Sequence, residues 1–190
     1  MKQMEEKILQ EGQVLPGDIL KVGSFLNQNI DTQLLAQMGE EVNRLFSDCS
    51  ITKILTIEAR GIAIAAAVGL AMGAPVLFAK KHRTSNVDGD VYVTTVHSFT
   101  HGEDYNVVVS KDYLTSDVRV LLVDDFLANG AALRGLIDLC EQANAEVVGV
   151  AIAIEKCFTG AGDKLRAEGL RLESLAAIES MSEDEIVFRS

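Results

Sequence analysis

An apolar run, Val118, Val120, Leu121, Leu122 and Val123, ends in two adjacent acids, Asp124 and Asp125, followed by the small residues Ala128, Asn129, Gly130, Ala131 and Ala132. A nearly continuous apolar run fits a central parallel strand covered on both faces. The acids then fall at its carboxyl end, where open α/β sheets bind ligands. Small side chains in the loop let backbone N–H groups approach an anion at the positive end of the following helix. Two carboxylates beside a phosphate cradle repel a bare nucleotide phosphate but suit a group that offers hydroxyls, or a magnesium ion. Phosphate next to a ribose diol means ribose 5-phosphate. The plainer alternative is an Asp pair that only ends a strand and caps a helix.

The stretch is similar to the phosphoribosyl-pyrophosphate (PRPP) signature of the type I phosphoribosyltransferases: four apolar residues, two acids, two apolar residues, then a small-residue phosphate loop. Many members carry Thr in that loop, where this chain has Ala128, Asn129 and Ala131. Glu58-Ala59-Arg60-Gly61 resembles the pyrophosphate loop of the purine members and stands where a first core strand turns into a helix, a second natural place for an anion. The resemblance implies a non-proline cis peptide bond there. Read alone, the residues also allow a salt bridge between Glu58 and Arg60 at the helix start. Lys80-Lys81-His82-Arg83 is the densest positive run of the chain. Charge runs are usually solvated faces, but next to a pyrophosphate loop this one offers cations to a highly charged leaving group, with Lys81 as the contact. His82 reads as a surface residue.

A second resemblance, to the xanthine phosphoribosyltransferases of bacteria, covers almost the whole chain, including residues 17–27, Glu155-Lys156-Cys157-Phe158, 162–166 and 172–175. In those relatives an Asp commonly follows Lys-Val, where this chain has Gly23. The resemblance implies that Leu20 and Asn27 line a purine site and that Lys156 contacts the base from the other side. Alone, Asn27 reads as a turn residue and Lys156 as a solvated strand end. It further implies conversion of xanthine and PRPP to xanthosine 5′-monophosphate (XMP) and pyrophosphate in purine salvage. In that reaction Asp124 and Asp125 hold the ribose hydroxyls and residues 128–132 the 5′-phosphate, while Arg60 and Lys81 hold the pyrophosphate. Asp124, Asp125 and Lys81 make up the catalytic set. Magnesium is expected to arrive with PRPP, without a dedicated metal site. Residues 80–113 correspond in the family to a mobile cover over the reacting centre, with Lys111 a further cation near its end. Family members are homodimers, and Lys80–Arg83 is placed to complete a neighbour's site. The rivals are the same chemistry on guanine, hypoxanthine or adenine, and a PRPP-sensing regulator without catalysis.

The elements that must position these groups alternate in type. Residues 2–11 predict a helix, 18–22 and 24–27 short extended pieces, and Asp31 the cap of a helix to Phe46 with an apolar stripe of Leu34, Leu35, Met38, Val42 and Leu45. Strands follow at 53–57, 75–79, 92–96 with 105–110 as a hairpin, 118–123, 146–154 and, last, 170–178. Helices are expected at 62–72, 131–142 and 158–168, with Gly61, Gly69 and Gly73 packed inside the first of these. Strands alternating with helices imply an α/β fold with a mainly parallel, doubly wound sheet. The expected organisation is one domain over residues 1–190, its core at about 50–155 and a small hood from about 1–30 and 156–190.

A formal net charge of −11 over 190 residues argues against a nucleic-acid-binding surface, so an anionic substrate needs local positive groups. Cys49, Cys140 and Cys157 are odd in number and lack metal-type spacing, reading as buried thiols of a cytoplasmic protein. No apolar run reaches membrane-spanning length.

Overall fold

The computed structural model describes residues 1–82, 90–98 and 103–189, with the backbone alone at His82, Ser98 and Glu103. Helix α1 (Lys2–Glu11) buries Met4 and Ile8, and β1 (Gln13–Leu15) pairs antiparallel with β2 (Ile19–Lys21). Residues 24–27 are not extended as predicted: Gly23–Asn27 closes as a wide helical turn. The N–H groups of Asn29 and Asp31 donate to the carbonyls of Gly23 and Phe25, both at 2.9 Å. The turn lets sequence neighbours Phe25 and Leu26 both be buried, whereas a strand exposed on one face buries only alternate residues. Asp31 caps α2 (Thr32–Leu45), its carboxylate accepting from the N–H groups of Gln33 at 3.1 Å and Leu34 at 3.0 Å.

The remaining elements are β3 (Lys53–Ile57), α3 (Gly61–Met72), β4 (Val76–His82), β5 (Val91–Ser98), β6 (Glu103–Ser110), β7 (Arg119–Leu127), α4 (Ala131–Ala143), β8 (Glu146–Lys156), a single turn Cys157–Thr159, α5 (Ala161–Ala167), β9 (Leu172–Met181) and β10 (Ile186–Phe188). Eight strands form one sheet in the order β10-β9-β8-β7-β3-β4-β6-β5. The five from β9 to β4 are parallel, and β10, β6 and β5 add antiparallel edges. Side chains alternate along β7: Leu121 and Val123 join the core under α1, α2 and α3, while Val120 and Leu122 join the core under α4 and α5. Burial on both faces explains why this strand reads as an unbroken apolar run.

Four boundaries differ from expectation. The basic residues Lys80 and Lys81 lie within β4 rather than after it. The predicted 158–168 helix splits into the turn at Cys157–Thr159 and α5, separated by Gly160 at φ +73°. Leu172–Met181 is not the last strand, since β10 follows it. Both belong to the main sheet, which the C-terminal segment widens. Gly69 packs inside α3 as predicted, but Gly73 lies beyond its end at φ +67°, the left-handed conformation that closes helices. Cys140 and Cys157 are buried and Cys49 only partly so. Among the described residues no helix is long and apolar enough to cross a membrane.

α2 and α3 pack closely at Gly39, where an added Cβ would lie 2.6 Å from the Ala67 carbonyl oxygen and 2.8 Å from its carbon. Those are backbone atoms of a packed helix and cannot yield cheaply. Gly39→Ala gains about 1 kcal/mol of helix propensity but incurs an overpacking cost of about 1–3 kcal/mol, so urea unfolding should show net loss of stability. A variant as stable as the parent would mean that the helices separate freely.

Candidate functional site

Strand order reverses between β3 and β7, with β4 on one side and β7, β8 and β9 on the other. Ligands of open α/β sheets bind beyond the carboxyl ends of the strands at such a reversal. A cavity of about 640 Å³ opens there. Its walls bring together Arg60, Lys81, Asp124, Asp125 and residues 128–132, all predicted from the sequence.

Asp124 and Asp125 are 6 % and 8 % exposed. One Asp124 oxygen accepts the Asp125 N–H at 2.9 Å, and Asp125 Oδ2 is buried with no hydrogen-bond partner among the described residues. Burial, reinforced by the neighbouring Asp125, pushes the Asp124 carboxyl up to about 8. Burial also raises Asp125, opposed by the charge of Arg60. Only glycine fits where α3 begins: a Cβ on Gly61 would sit 2.0 Å from Thr56 Oγ1 and 3.3 Å from Asp124 Oδ1.

In the loop that follows, Gly130 takes φ +81° and Asn129 Oδ1 accepts the Ala131 N–H at 3.0 Å. The remaining N–H groups of this turn lie at the positive end of α4. Across the cavity the Glu58–Ala59 peptide bond is cis, as the resemblance implies. Glu58 Oε1 accepts the Lys81 N–H at 2.6 Å, and Glu58 N–H donates to the Ala79 carbonyl at 3.0 Å. Glu58 thus ties the turn to β4, and Arg60 acts on Asp125 instead of pairing with Glu58. Lys81 lines its own chain's cavity, its Nζ 5.2 Å from the Tyr105 ring centroid.

Leu20, Asn27 and Lys156 do not line this cavity. Leu20 is a core residue, in the cluster against which Phe126 packs. Asn27 Oδ1 is buried without a partner among the described residues. Lys156 Nζ donates to the Asp18 carbonyl at 2.6 Å and lies 5.6 Å from the Phe126 ring centroid, and burial lowers its pKa. Phe126 itself lines the cavity, so Lys156 stands one aromatic ring behind the wall. Lys111 is held at the foot of the hairpin by Asp90 at 2.6 Å, away from the site. Arg83 of the basic run, and Ser85, Asn86, Asp88, Gly89, Thr100 and Gly102 of the expected cover, lie outside the described residues. Sequence reasoning missed Tyr105 and His97, which the β5–β6 hairpin delivers to the cavity. The alternation of residues 92–96 marked the hairpin, but nothing in it marked the face that turns inward.

A model of the phosphoribosyl transferase domain matches residues 27–166, and the chain belongs to that family. The xanthine phosphoribosyltransferase of Bifidobacterium adolescentis is 52 % identical over 193 residues, covering all of both chains. That of Finegoldia magna is 50 % identical over 188 residues, 99 % of each. Among solved structures, the APRTase of Giardia lamblia complexed with 9-deazaadenine superposes with a TM-score of 0.77 at 24 % identity, covering 90 % of this chain and 96 % of that one. The adenine phosphoribosyltransferase of Rhodothermus marinus gives 0.73 at 22 %, with 92 % and 98 % covered. At these identities the structures bear on the fold alone.

The Asp124 carboxyl has a higher pKa folded than unfolded, so its ionisation is unfavourable in the native state. Stability from this group is complete below the unfolded value of 3.8 and is lost as pH rises through about 8. One unit corresponds to about 1.4 kcal/mol, so even half the shift is a penalty of about 3 kcal/mol at pH 8. Asp124→Asn should therefore melt higher than the parent at pH 8, with the gap closing toward pH 4. A gap that is constant across this range would contradict the buried-charge account.

Proposed function

We propose that this enzyme is a xanthine phosphoribosyltransferase of purine salvage, moving the 5-phosphoribosyl group of PRPP onto xanthine and releasing pyrophosphate. Relatives of that name match about half of its residues over its whole length. At the site, the observation that carries the reading is a buried acid pair with a small-residue helix start on one side and Arg60 and Lys81 on the other.

A purine ring nitrogen attacks C1′ as the C1′–pyrophosphate bond breaks, and positive charge develops on the sugar. The chain's work is to orient the reactants, exclude water and neutralise the leaving group. The N–H groups of 128–132 hold the 5′-phosphate, and Asp124 and Asp125 accept from the ribose hydroxyls. The unpartnered Asp125 Oδ2 suits such a donor. Arg60 and Lys81 hold the pyrophosphate, Lys81 serving its own chain's site. Tyr105 and His97 extend the cover over the reacting centre. Magnesium arriving with PRPP would be held by the same two carboxylates, Asp124 and Asp125, whose hard oxygens suit it. When bound it adds positive charge against the departing pyrophosphate.

Xanthine, with two carbonyls and a readily lost ring proton, suits a lysine ammonium and an Asn amide. The buried, unpartnered Asn27 Oδ1 can accept from a ring N–H of the base, the Lys156 ammonium lies beside the Phe126 ring that lines the cavity, and Leu20 belongs to the core cluster against which Phe126 packs. We place the enzyme in the cytoplasm as a homodimer. The outer face of α3 supports the dimer: Leu70 is 87 % exposed beside Ala63, Ala66 and Ala67, and opens onto Leu35 and Ala36 of α2.

Turnover with PRPP should be fastest on xanthine when guanine, hypoxanthine and adenine are measured in parallel, and a different preferred base would overturn the assignment. Lys156→Met should lower kcat/KM for xanthine by roughly tenfold or more relative to hypoxanthine, the scale of a lost hydrogen bond to a charged group. Equal losses on every base would make Lys156 a scaffold residue. Sedimentation at micromolar concentration should report a dimer, and Leu70→Glu should shift it toward monomer.

A further inference from the structure

The segment after β8 touches both halves of the site. The Thr159 hydroxyl lies 2.5 Å from the carbonyl oxygen of Ala128, which opens the phosphate loop, and 2.8 Å from that of Lys156 on the base side. A hydroxyl carries one proton, so the two carbonyls compete for a single donor. The frame around it is stiff. Glu155 is fully buried, with Arg166 bonded to both its oxygens at 2.8 and 2.6 Å and the Ser174 hydroxyl at 2.5 Å. A Cβ on Gly162 would lie 1.9 Å from Glu155 Oε1, which locks α5 against the end of β8. Farther along, Arg134 of α4 pairs with Glu168 through two bonds of 2.7 Å. A shift of the loop as it wraps a phosphate therefore has little slack to dissipate in, and reaches Lys156 through the shared proton of Thr159.

We propose that Thr159 is a positioning residue that couples occupation of the phosphate loop to placement of Lys156, so that a bound 5-phosphoribosyl group raises affinity for the base. The inference rests on the phosphoribosyl transfer reading above. The test is calorimetric titration of xanthine into the full chain with and without saturating ribose 5-phosphate, a pair that cannot react because ribose 5-phosphate carries no pyrophosphate leaving group. The coupling factor is the ratio of the two dissociation constants. In the parent and in Thr159→Ser, which keeps the donor, ribose 5-phosphate should tighten xanthine binding. In Thr159→Val the factor should fall about two- to tenfold toward unity, the scale of one hydrogen bond, and Thr159→Ala supplies the same comparison if the valine variant does not fold. A parent without coupling overturns the proposal, as does a valine variant with the parent's factor, even where both affinities weaken together. Lack of PRPP-dependent turnover of xanthine by the parent would instead refute the functional reading beneath it.

Discussion

Two adjacent carboxyl groups, each less than a tenth exposed, sit at the end of the strand beside which the sheet reverses its order. Within the fold, Asp124 accepts the Asp125 N–H. Desolvation and mutual repulsion both oppose their charge, and the surroundings only partly offset this, through the Asp125 N–H and the field of Arg60. A chain selected for stability alone would place apolar residues here. Their presence marks a site that becomes satisfied when hydroxyl donors or a cation enter, a local inconsistency of the kind functional sites keep.

The rest of the site follows from where that pair stands. β3 and β7 flank the reversal, and each runs directly into a turn that opens a helix. Two helix-opening turns thus border the cavity beside the acids, one with small side chains, the other carrying Arg60, with Lys81 on the neighbouring strand. In the proposed reading, a substrate carrying phosphate at one end, pyrophosphate at the other and a diol between them meets a suitable group at each point. Gly61 is what permits the approach, since any side chain there would collide with Thr56 before reaching the acid.

The parallel strands and their helices were legible because burial on both faces leaves unbroken apolar runs and because Asp31 caps its helix by a local hydrogen bond. That Asp124, Asp125 and residues 128–132 meet in one cavity was legible because strand, acids and loop are contiguous, so sequence order is spatial order. The 24–27 turn was not, because its form is set by the burial of Phe25 and Leu26 against distant elements. The base side was the least legible. Leu20, Asn27 and Lys156 come from separate segments and were suggested by resemblance, and only the folded chain places Lys156 behind Phe126. Tyr105 and His97 escaped notice because a strand's alternation does not announce which face will meet a cavity.

Arg60 and Lys81 are an island of positive charge in a molecule of formal net charge −11. Their attraction is felt within about one Debye length, near 8 Å at physiological ionic strength; beyond it, an anion meets the field of the whole protein. The reaction consumes one polyanion and liberates two. The same outer field that slows arrival hastens departure once a product clears the mouth, so added salt speeds entry and weakens expulsion, and the molecule's acidity acts as a one-way bias on traffic.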